Sequence, residues 1–556
     1  MEEADVKSFG EEQLLIPSDT LLSSFCEEFH KLSQDLKDSD LSTRKIALEK
    51  FRLLFSSPFI EEVKKEKGLQ LVPTLLLLLA DDAYQDLQYE AACLLTTFSC
   101  FSGDILRKFA TKDVVKHLVG LVNMSNELIC EQAVWTLGNL AGNCLELAQR
   151  VLSLGAVPAI NSLIRRASRL CTVKLAVWTL SNLCQRDTSF EGESEKHCWS
   201  ALSWLINSSD DIEILTDTCW SLQNLCFVSG GSCSDSLSQS GILGRLVDLV
   251  SSEEMSIKMP ALRTLGIFIC HNPWHIQIVL NCGILSAIRD LLKHNNESLV
   301  MDTCWVVSLL SEGSCYQIQF VIKTNIPQQL TCLMKSESRG IREEAAWAVC
   351  NLLTCGTQEQ TVAVLNLNCT SDLCAVLVSE LDIDFLRVAL SALERALRVS
   401  INFCSDCEFC QGCSSCERLK NLRIDIEESA MTTLTELSVH HNAQLSKFSL
   451  RVLHLLSADD AAETSSSPFS PRLTSKPDRD RRRGSESPEK TLRTVEHQVF
   501  KTGLKLKNLL KGAKRSKPFG GKQSPFKGVP PPLFVLDHVL DRRVMGALCI
   551  NENLFR

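Results

Sequence analysis

Residues 129–143, "ICEQAVWTLGNLAGN", place Trp135 and Asn139 four positions apart in a segment that otherwise has the pattern of a buried helix. Residues four apart lie on the same face of an α-helix. A buried carboxamide without a hydrogen-bond partner lowers stability by about 1–3 kcal/mol. An indole and an amide on the same face of a core helix therefore need a physical explanation.

The same pattern recurs along the chain at intervals of 42 or 43 residues. The positions aligned with Trp135, named here the ladder, are Cys93, Trp135, Trp178, Trp220, Arg263, Trp305 and Trp347. Between ladder segments, a glycine at 155, 241 or 283 precedes a second amphipathic segment, as in "SLGAVPAINSLI" (153–164). A period of about 42 residues with two or three helices per unit is typical of armadillo or HEAT repeats, in which stacked units share one core.

The sequence therefore predicts an all-α, armadillo-repeat, right-handed superhelical solenoid of about nine or ten repeats. We place an acidic N-terminal segment at 1–28 and the solenoid at 29–460. A disordered Ser/Pro/basic linker follows at 461–530, with a candidate amphipathic helix at 495–515, and a C-terminal tail at 531–556.

Composition narrows the class of protein. The chain has 556 residues, 45% of them hydrophobic, without a signal-peptide pattern or an apolar run of the roughly 18 residues that a membrane span needs. Its 26 cysteines are mostly scattered singly through helical patterns, which favours a reducing compartment over a disulfide framework. We expect a cytoplasmic and nuclear protein.

Charge is unevenly distributed. The formal net charge is −9, but residues 471–530 contain 17 Lys and Arg against 5 Asp and Glu, a net of +12, which leaves −21 for the remainder. Such a split is common in proteins that bind a charged partner or their own other half. The basic stretch "FKTGLKLKNLLKGAKRSKPFGGK" (500–522) has two open interpretations, a groove-binding or amphipathic segment and a solvated tail.

The ladder predicts a binding surface for peptides. Neighbouring indoles form slots for the alkyl stems of Lys or Arg, and an Asn one turn later can pair with the backbone of an extended peptide. The competing interpretation is that these tryptophans are ordinary core residues. Asn139, Asn182 and Asn351, each four residues after a ladder Trp, favour the binding surface.

The sequence resembles importin alpha, the adaptor for proteins that carry nuclear localisation signals. The resemblance covers residues 40–457 in one register and rests on the six phrases "LQYEAACLLTTFSC", "ICEQAVWTLGNLAGN", "AVWTLSNLC", "LTDTCWSLQNL", "REEAAWAVCNLL" and "IEESAMTTLTEL". It implies a major peptide site in early repeats and a minor one in later repeats. The peptide-binding residues that it implies are Gln132, Trp135, Asn139, Trp178, Asn182, Trp220, Asn224, Glu344, Trp347 and Asn351.

The chain also departs from that family. The first pair of the major array reads Cys93 and Thr97, and Asn224 stands where the family has a tyrosine. The contacts that the resemblance implies for the deepest lysine, an aspartate, a threonine and a glycine carbonyl, read Asn143, Leu106 and Phe101. In the later repeats Ile267 and Leu309 replace the expected Asn residues. Losing a charge-assisted bond of about 1.5–3 kcal/mol predicts at least about a tenfold weaker lysine pocket.

The resemblance names importin beta as a candidate transport carrier. In that family a Lys- and Arg-rich N-terminal segment binds importin beta, whereas residues 1–29 here are acidic. Import by that carrier is therefore not implied by the resemblance alone.

A run of cysteines, "CSDCEFCQGCSSC", is a candidate metal site. Cys404, Cys407, Cys410, Cys413 and Cys416 recur every three residues and could hold zinc or an iron–sulfur cluster. The run lacks the long spacer of a usual zinc site, so free or redox-sensitive thiols remain the alternative. No other cofactor is expected.

Motifs for catalysis are missing: the sequence has no phosphate-binding loop, dinucleotide fingerprint or H-E-x-x-H. We expect no enzyme, no catalytic residues and no direct nucleic-acid partner. Two functions remain. The first is an importin-alpha-like adaptor that binds nuclear localisation peptides of cargo proteins for import into the nucleus. The second is an armadillo scaffold with a repurposed groove and no such import activity.

Overall fold

The computed structural model describes residues 18–56, 61–101, 103–185, 188–190, 192–229, 237, 241–379, 382–405 and 414–457. These residues form 25 α-helices and, within the described ranges, no strands. The chain divides into two compact units with a boundary between Val228 and Ser229. The prediction of an all-α array of repeats is confirmed.

Twelve helices belong to the first unit. They are α1 (Ser18–Asp35), α2 (Leu41–Ser56), α3 (Glu61–Leu79), α4 (Gln85–Phe98), α5 (Gly103–Phe109), α6 (Lys112–Val122), α7 (Glu127–Asn143), α8 (Leu145–Ser153), α9 (Ala156–Arg166), α10 (Leu170–Leu183), α11 (Glu193–Ser208) and α12 (Ile212–Ser229). Helix α1 crosses the boundary that the sequence placed at residue 28.

Thirteen helices belong to the second unit. They are α13 (Ile242–Val250), α14 (Met255–His271), α15 (Pro273–Asn281), α16 (Ile284–Leu291), α17 (Glu297–Leu310), α18 (Cys315–Ile322), α19 (Ile326–Leu333), α20 (Arg339–Cys355), α21 (Gln358–Leu365), α22 (Thr370–Ser379), α23 (Ile383–Ser405), α24 (Ser414–Ser438) and α25 (Ala443–Ser457).

Local sequence signals set the helix boundaries. Asn126 caps α7, its side chain accepting a hydrogen bond from the Leu128 backbone N–H at 3.1 Å, and Asn296 caps α17 in the same manner through Leu299. The three glycines that the sequence analysis placed before second helices have left-handed φ values of 82°, 71° and 84° and directly precede α9, α13 and α16. Glycine adopts this conformation without steric cost, so each permits a sharp turn into the next helix.

The last helix of each repeat packs side by side with its counterparts. In the first unit α4 contacts α7 and α7 contacts α10; in the second, α14, α17, α20 and α23 follow one another in the same way. We name these the third helices. Every ladder residue lies on a third helix or on α12, as the repeat pattern predicts.

The core runs between helices within each unit. At the start of the first unit it is aromatic: the Phe55 and Phe98 rings meet edge-to-face at 4.8 Å, and Phe98 stacks on Phe101 at 5.4 Å.

None of the described helices alone has the length and apolar composition of a membrane span. Two pairs of described helices have that length and composition only when taken together, and both pairs are bent. The bend is 75° between α8 and α9 and 84° between α21 and α22.

Candidate functional site

The first unit presents two complete Trp–Asn pairs on neighbouring third helices. Trp135 and Asn139 lie on α7, and Trp178 and Asn182 lie on α10; all four side chains are half-buried. Because α7 and α10 pack directly against each other, the structure brings these four predicted residues onto adjoining turns of one surface.

A glycine lets the second tryptophan approach the first pair. A Cβ at Gly138 would lie 2.2 Å from the Trp178 ring and 2.6 Å from the Thr179 hydroxyl, both impossible contacts. The indole therefore packs directly on the α7 backbone between Trp135 and Asn139. The ladder pattern did not predict this role, although a glycine three residues after a ladder position occurs again as Gly266, where an added Cβ would also lie 2.2 Å from the Trp305 ring.

The asparagines are hydrogen-bonded to the preceding repeat. Asn182 Nδ2 donates to the Gly138 carbonyl at 3.0 Å, and Asn139 Nδ2 donates to the Ser99 hydroxyl at 2.8 Å. An unpartnered amide would disfavour a core position, and here each of the two amides has a partner in the preceding repeat. An amide has two N–H groups and two acceptor lone pairs. Within the described part of the chain Asn182 uses one N–H, so the other N–H and the carbonyl oxygen are left for a ligand.

Gln132 lies one turn before Trp135 on α7 and is half-buried. Its Oε1 accepts a hydrogen bond from the Thr96 hydroxyl at 3.0 Å, which joins α7 to α4. Trp220 and Asn224 lie on α12 and are likewise half-buried.

The first ladder position is closed. Cys93 is 6% exposed, and burial raises the pKa of its thiol to about 11. The Thr97 hydroxyl bonds the Cys93 carbonyl at 3.1 Å. Two of the positions that the resemblance implied for the deepest lysine are core: Leu106 is fully buried and Phe101 is 9% exposed. Asn143, at the third, is half-buried at the end of α7. Two of the three side chains at the positions implied for that lysine are therefore apolar and buried.

In the second unit, two ladder positions are core rather than surface. Arg263 is 6% exposed and donates from Nε to Asp302 Oδ2 at 2.7 Å, and Asp302 is 1% exposed. Burial raises the Asp302 pKa to about 6 although the Arg263 charge opposes the rise. Trp305 is 1% exposed, and Ile267 and Leu309 are buried. No sequence signal beyond the loss of the paired Asn pointed to this ion pair.

The last ladder position keeps its tryptophan but buries its polar partners. Trp347 is half-buried and meets Phe385 edge-to-face at 5.8 Å. Glu344 and Asn351 are 8% and 6% exposed. Asn351 Nδ2 donates to the Ser308 carbonyl at 2.9 Å and to Glu312 Oε1 at 3.2 Å, so both of its N–H groups are engaged. The Asn351 amide therefore has fewer unused N–H groups for a ligand than the Asn182 amide on α10.

The predicted metal site cannot be placed. Cys407, Cys410 and Cys413 lie outside the described residues, as do the side chains of Cys404 and Cys416. Among the residues that are described, no group of three His, Cys, Asp or Glu side chains is arranged to hold a metal ion. Zinc at the cysteine run stays a prediction.

Comparisons with known proteins support the repeat assignment. The model of the Armadillo/beta-catenin-like repeat family matches residues 112–142, 272–312 and 314–354. The crystal structure of an engineered protein superposes with a TM-score of 0.62 at 20% sequence identity, covering 77% of this chain and 98% of that chain. At that identity the likeness concerns the fold alone.

Curated relatives are importin alpha subunits. Importin subunit alpha-1b of Oryza sativa subsp. japonica is 32% identical over 272 residues, 48% of this chain and 50% of that protein. Importin subunit alpha-2 of Arabidopsis thaliana is 30% identical over 243 residues, 43% of this chain and 44% of that protein. The chain spans about half the length of the curated relatives that it matches. It is a divergent importin-alpha-like protein built from armadillo repeats.

Proposed function

We propose that this protein is an adaptor that binds basic, extended peptides of the nuclear localisation type on the third helices of its first unit. The observation that carries the proposal is the pair of adjoining Trp–Asn sets on α7 and α10. Half-buried indoles provide apolar and cation-attracting walls for Lys or Arg stems. Asn182 retains an N–H and a carbonyl oxygen to pair with peptide backbone.

The proposed contacts are unequal along the ladder. Trp135, Asn139, Trp178 and Asn182 form the principal site, with Gln132 one turn before Trp135 and with Trp220 and Asn224 at the next ladder position along the chain. Glu344, Trp347 and Asn351 form a weaker second site, because both N–H groups of the buried Asn351 amide already donate hydrogen bonds within the protein. The relatives' names favour nuclear import as the setting, in the cytoplasm and the nucleus. Importin beta is the proposed carrier, and a pull-down of purified importin beta by the full chain tests that partner.

Affinity should be modest. Leu106 and Phe101 bury apolar groups at two of the positions that the resemblance implies for the deepest lysine, and the buried Cys93 replaces the first tryptophan of the array. Losing one charge-assisted contact weakens binding about tenfold or more. We expect a dissociation constant in the micromolar range, about −8 kcal/mol.

Fluorescence anisotropy with a short Lys- and Arg-rich peptide and the full chain tests the proposal at physiological salt. The W178A/N182A variant should bind about tenfold or more weakly. A matched control is W274A/N281A, which removes the same residue types from α15, where Trp274 is 78% exposed and Asn281 is also exposed. Thermal unfolding of each variant shows that the fold persists.

A repurposed scaffold is the second candidate, favoured by the closed first ladder position and the buried Arg263–Asp302 pair. It predicts that the full chain does not bind the basic peptide, or that W178A/N182A binds it as well as the control does.

A further inference from the structure

A small polar cleft lies in the second unit, where helix α22 packs against helix α24. Its volume is about 170 Å³, and it includes the turn that joins α21 to α22. The polar residues that line it are Asn366, Asn368, Thr370, Glu417, Asn421 and Asp425. No Lys, Arg or His is among its lining residues. The cleft is therefore rich in oxygen atoms and negatively charged.

Helix α24 contributes three of these side chains from one face. Glu417, Asn421 and Asp425 are four residues apart, so they lie on successive turns of the same side of the helix. Side chains on an α-helix lean toward its N-terminus, which directs Asp425 toward the turn that carries Asn421. One carboxylate and one amide therefore lie close together, and the second carboxylate lies one turn further along.

The opposite wall comes from the turn before α22. Asn368 has a left-handed φ of 55°, a conformation that asparagine tolerates better than most residues. Thr370 begins α22 and is only 5% exposed, yet it lines the cleft. Its hydroxyl makes no hydrogen bond with another described residue. Because a buried hydroxyl without a partner is unfavourable, Thr370 indicates that the cleft holds a ligand.

The other polar groups are also available. The side-chain amides of Asn368 and Asn421 make no hydrogen bond within the described part of the chain, and Asp425 has no ion-pair partner there. By contrast, the neighbouring Asp372 pairs with Lys335 at 3.3 Å. Burial raises the pKa of Asp425, and the charges of nearby carboxylates raise it further. A cation in the cleft would oppose both effects, because it would attract the ionised carboxylate.

We propose that this cleft binds a hard divalent cation, Ca²⁺ or Mg²⁺. The oxygen ligands would come from Asn368, Thr370, Asn421 and Asp425, with Glu417 adding charge from the next turn. Both ions prefer carboxylate, amide and water oxygens, whereas zinc prefers the thiolates and imidazoles that the lining of this cleft lacks. Two carboxylates in a cleft with room for several water molecules suit an ion that keeps part of its hydration shell.

The bound ion would join α24 to the turn before α22 and so strengthen the packing of these two helices. The site is independent of the proposed basic-peptide function, because it lies in the other unit and uses other helices. It is also distinct from the cysteine run, whose thiolates would take zinc or an iron–sulfur cluster.

Isothermal titration calorimetry tests the proposal with CaCl₂ and, separately, MgCl₂ at constant ionic strength. The full chain is first treated with EDTA, which is then removed. We expect one site with a dissociation constant of about 10⁻⁴–10⁻³ M, because only two carboxylates contribute. Tighter binding of Ca²⁺ would indicate direct ligation by most of the side-chain oxygens, and tighter binding of Mg²⁺ would indicate an ion that keeps more of its water.

E417Q/D425N should bind the preferred ion about tenfold or more weakly than wild type. The matched control E253Q/D290N replaces the same residue types at exposed positions of the same unit and should bind as wild type does. W178A/N182A should also keep cation binding, which separates this result from the basic-peptide proposal.

Thr370→Val removes the hydroxyl with little change in side-chain shape, and it should weaken cation binding without loss of the fold. Thermal unfolding of each variant without the ion shows that the fold persists. The proposal is overturned if wild type binds neither ion in that range. It is also overturned if E417Q/D425N and E253Q/D290N bind the ion equally.

Discussion

The indole of Trp178 lies so close to the backbone of Gly138, one repeat earlier, that position 138 has no room for a side chain. The ladder tryptophan is therefore both a packing residue and a surface residue. One side of the ring contacts the preceding third helix, while the half-exposed remainder is open to a ligand. The two interpretations of the ladder, core packing and peptide binding, are compatible at this position.

Gly138→Ala should displace Trp178 and destabilise the protein. Overpacking a tight contact costs about 1–3 kcal/mol, and the displaced indole should weaken basic-peptide binding as well. Urea unfolding and anisotropy measure the two effects. Gly120→Ala on α6 is the control, because nothing lies within 4 Å of its added Cβ. Helix propensity should make that change neutral or stabilising by up to about 1 kcal/mol. Equal stability of the two variants would refute the packing role.

Asn182→Asp should cost stability because it replaces the N–H donor to the Gly138 carbonyl with a carboxylate oxygen. We expect a loss of about 1–3 kcal/mol in the free energy of unfolding. Asn281→Asp, at an exposed position on α15, should leave stability within about 0.5 kcal/mol of wild type. A similar loss in both variants would mean that the Asn182–Gly138 hydrogen bond contributes nothing specific.

Repeat period and ladder register were predictable from sequence because each repeat must bury an equivalent apolar face at the same spacing. Contacts between repeats were not. The Asn139 partner, Ser99, and the Asn182 partner, the Gly138 carbonyl, lie 40 and 44 residues away, and their geometry depends on how third helices pack.

Arg263 and Asp302 should behave as a buried ion pair. Arg263→Ala leaves a buried carboxylate without its partner, and such a loss costs about 3–5 kcal/mol. The double variant R263M/D302L replaces both charges with apolar groups of similar size, and it should recover most or all of that loss. Urea unfolding of the single and double variants measures the recovery. A double variant less stable than Arg263→Ala would contradict this prediction.

Asp302 should make stability depend on pH in the opposite sense to an ordinary surface carboxylate. Its pKa in the folded protein is about 6, above the ordinary 3.8, so the folded state binds the proton more tightly than the unfolded state. Its contribution to stability therefore rises as pH falls from about 7 to about 4, by on the order of 2–3 kcal/mol, and is lost as pH rises through about 6.

Thermal unfolding of wild type and Asp302→Asn across that pH range tests the sign. Wild type should gain stability relative to the variant on acidification. Asp290→Asn, whose carboxylate is 74% exposed, should run parallel to wild type. A wild type that loses stability relative to Asp302→Asn at low pH would show that the Asp302 pKa is lowered instead.

We expect basic peptides to bind the first unit through α7 and α10 in preference to the second unit through α20. The most direct measurement compares the affinity of the full chain for a Lys- and Arg-rich peptide after W178A/N182A and after W347A/N351A. We predict about a tenfold or greater loss for W178A/N182A and a smaller loss for W347A/N351A. A larger loss for W347A/N351A, or no peptide binding by the wild-type chain, would show that α7 and α10 do not form the principal peptide site.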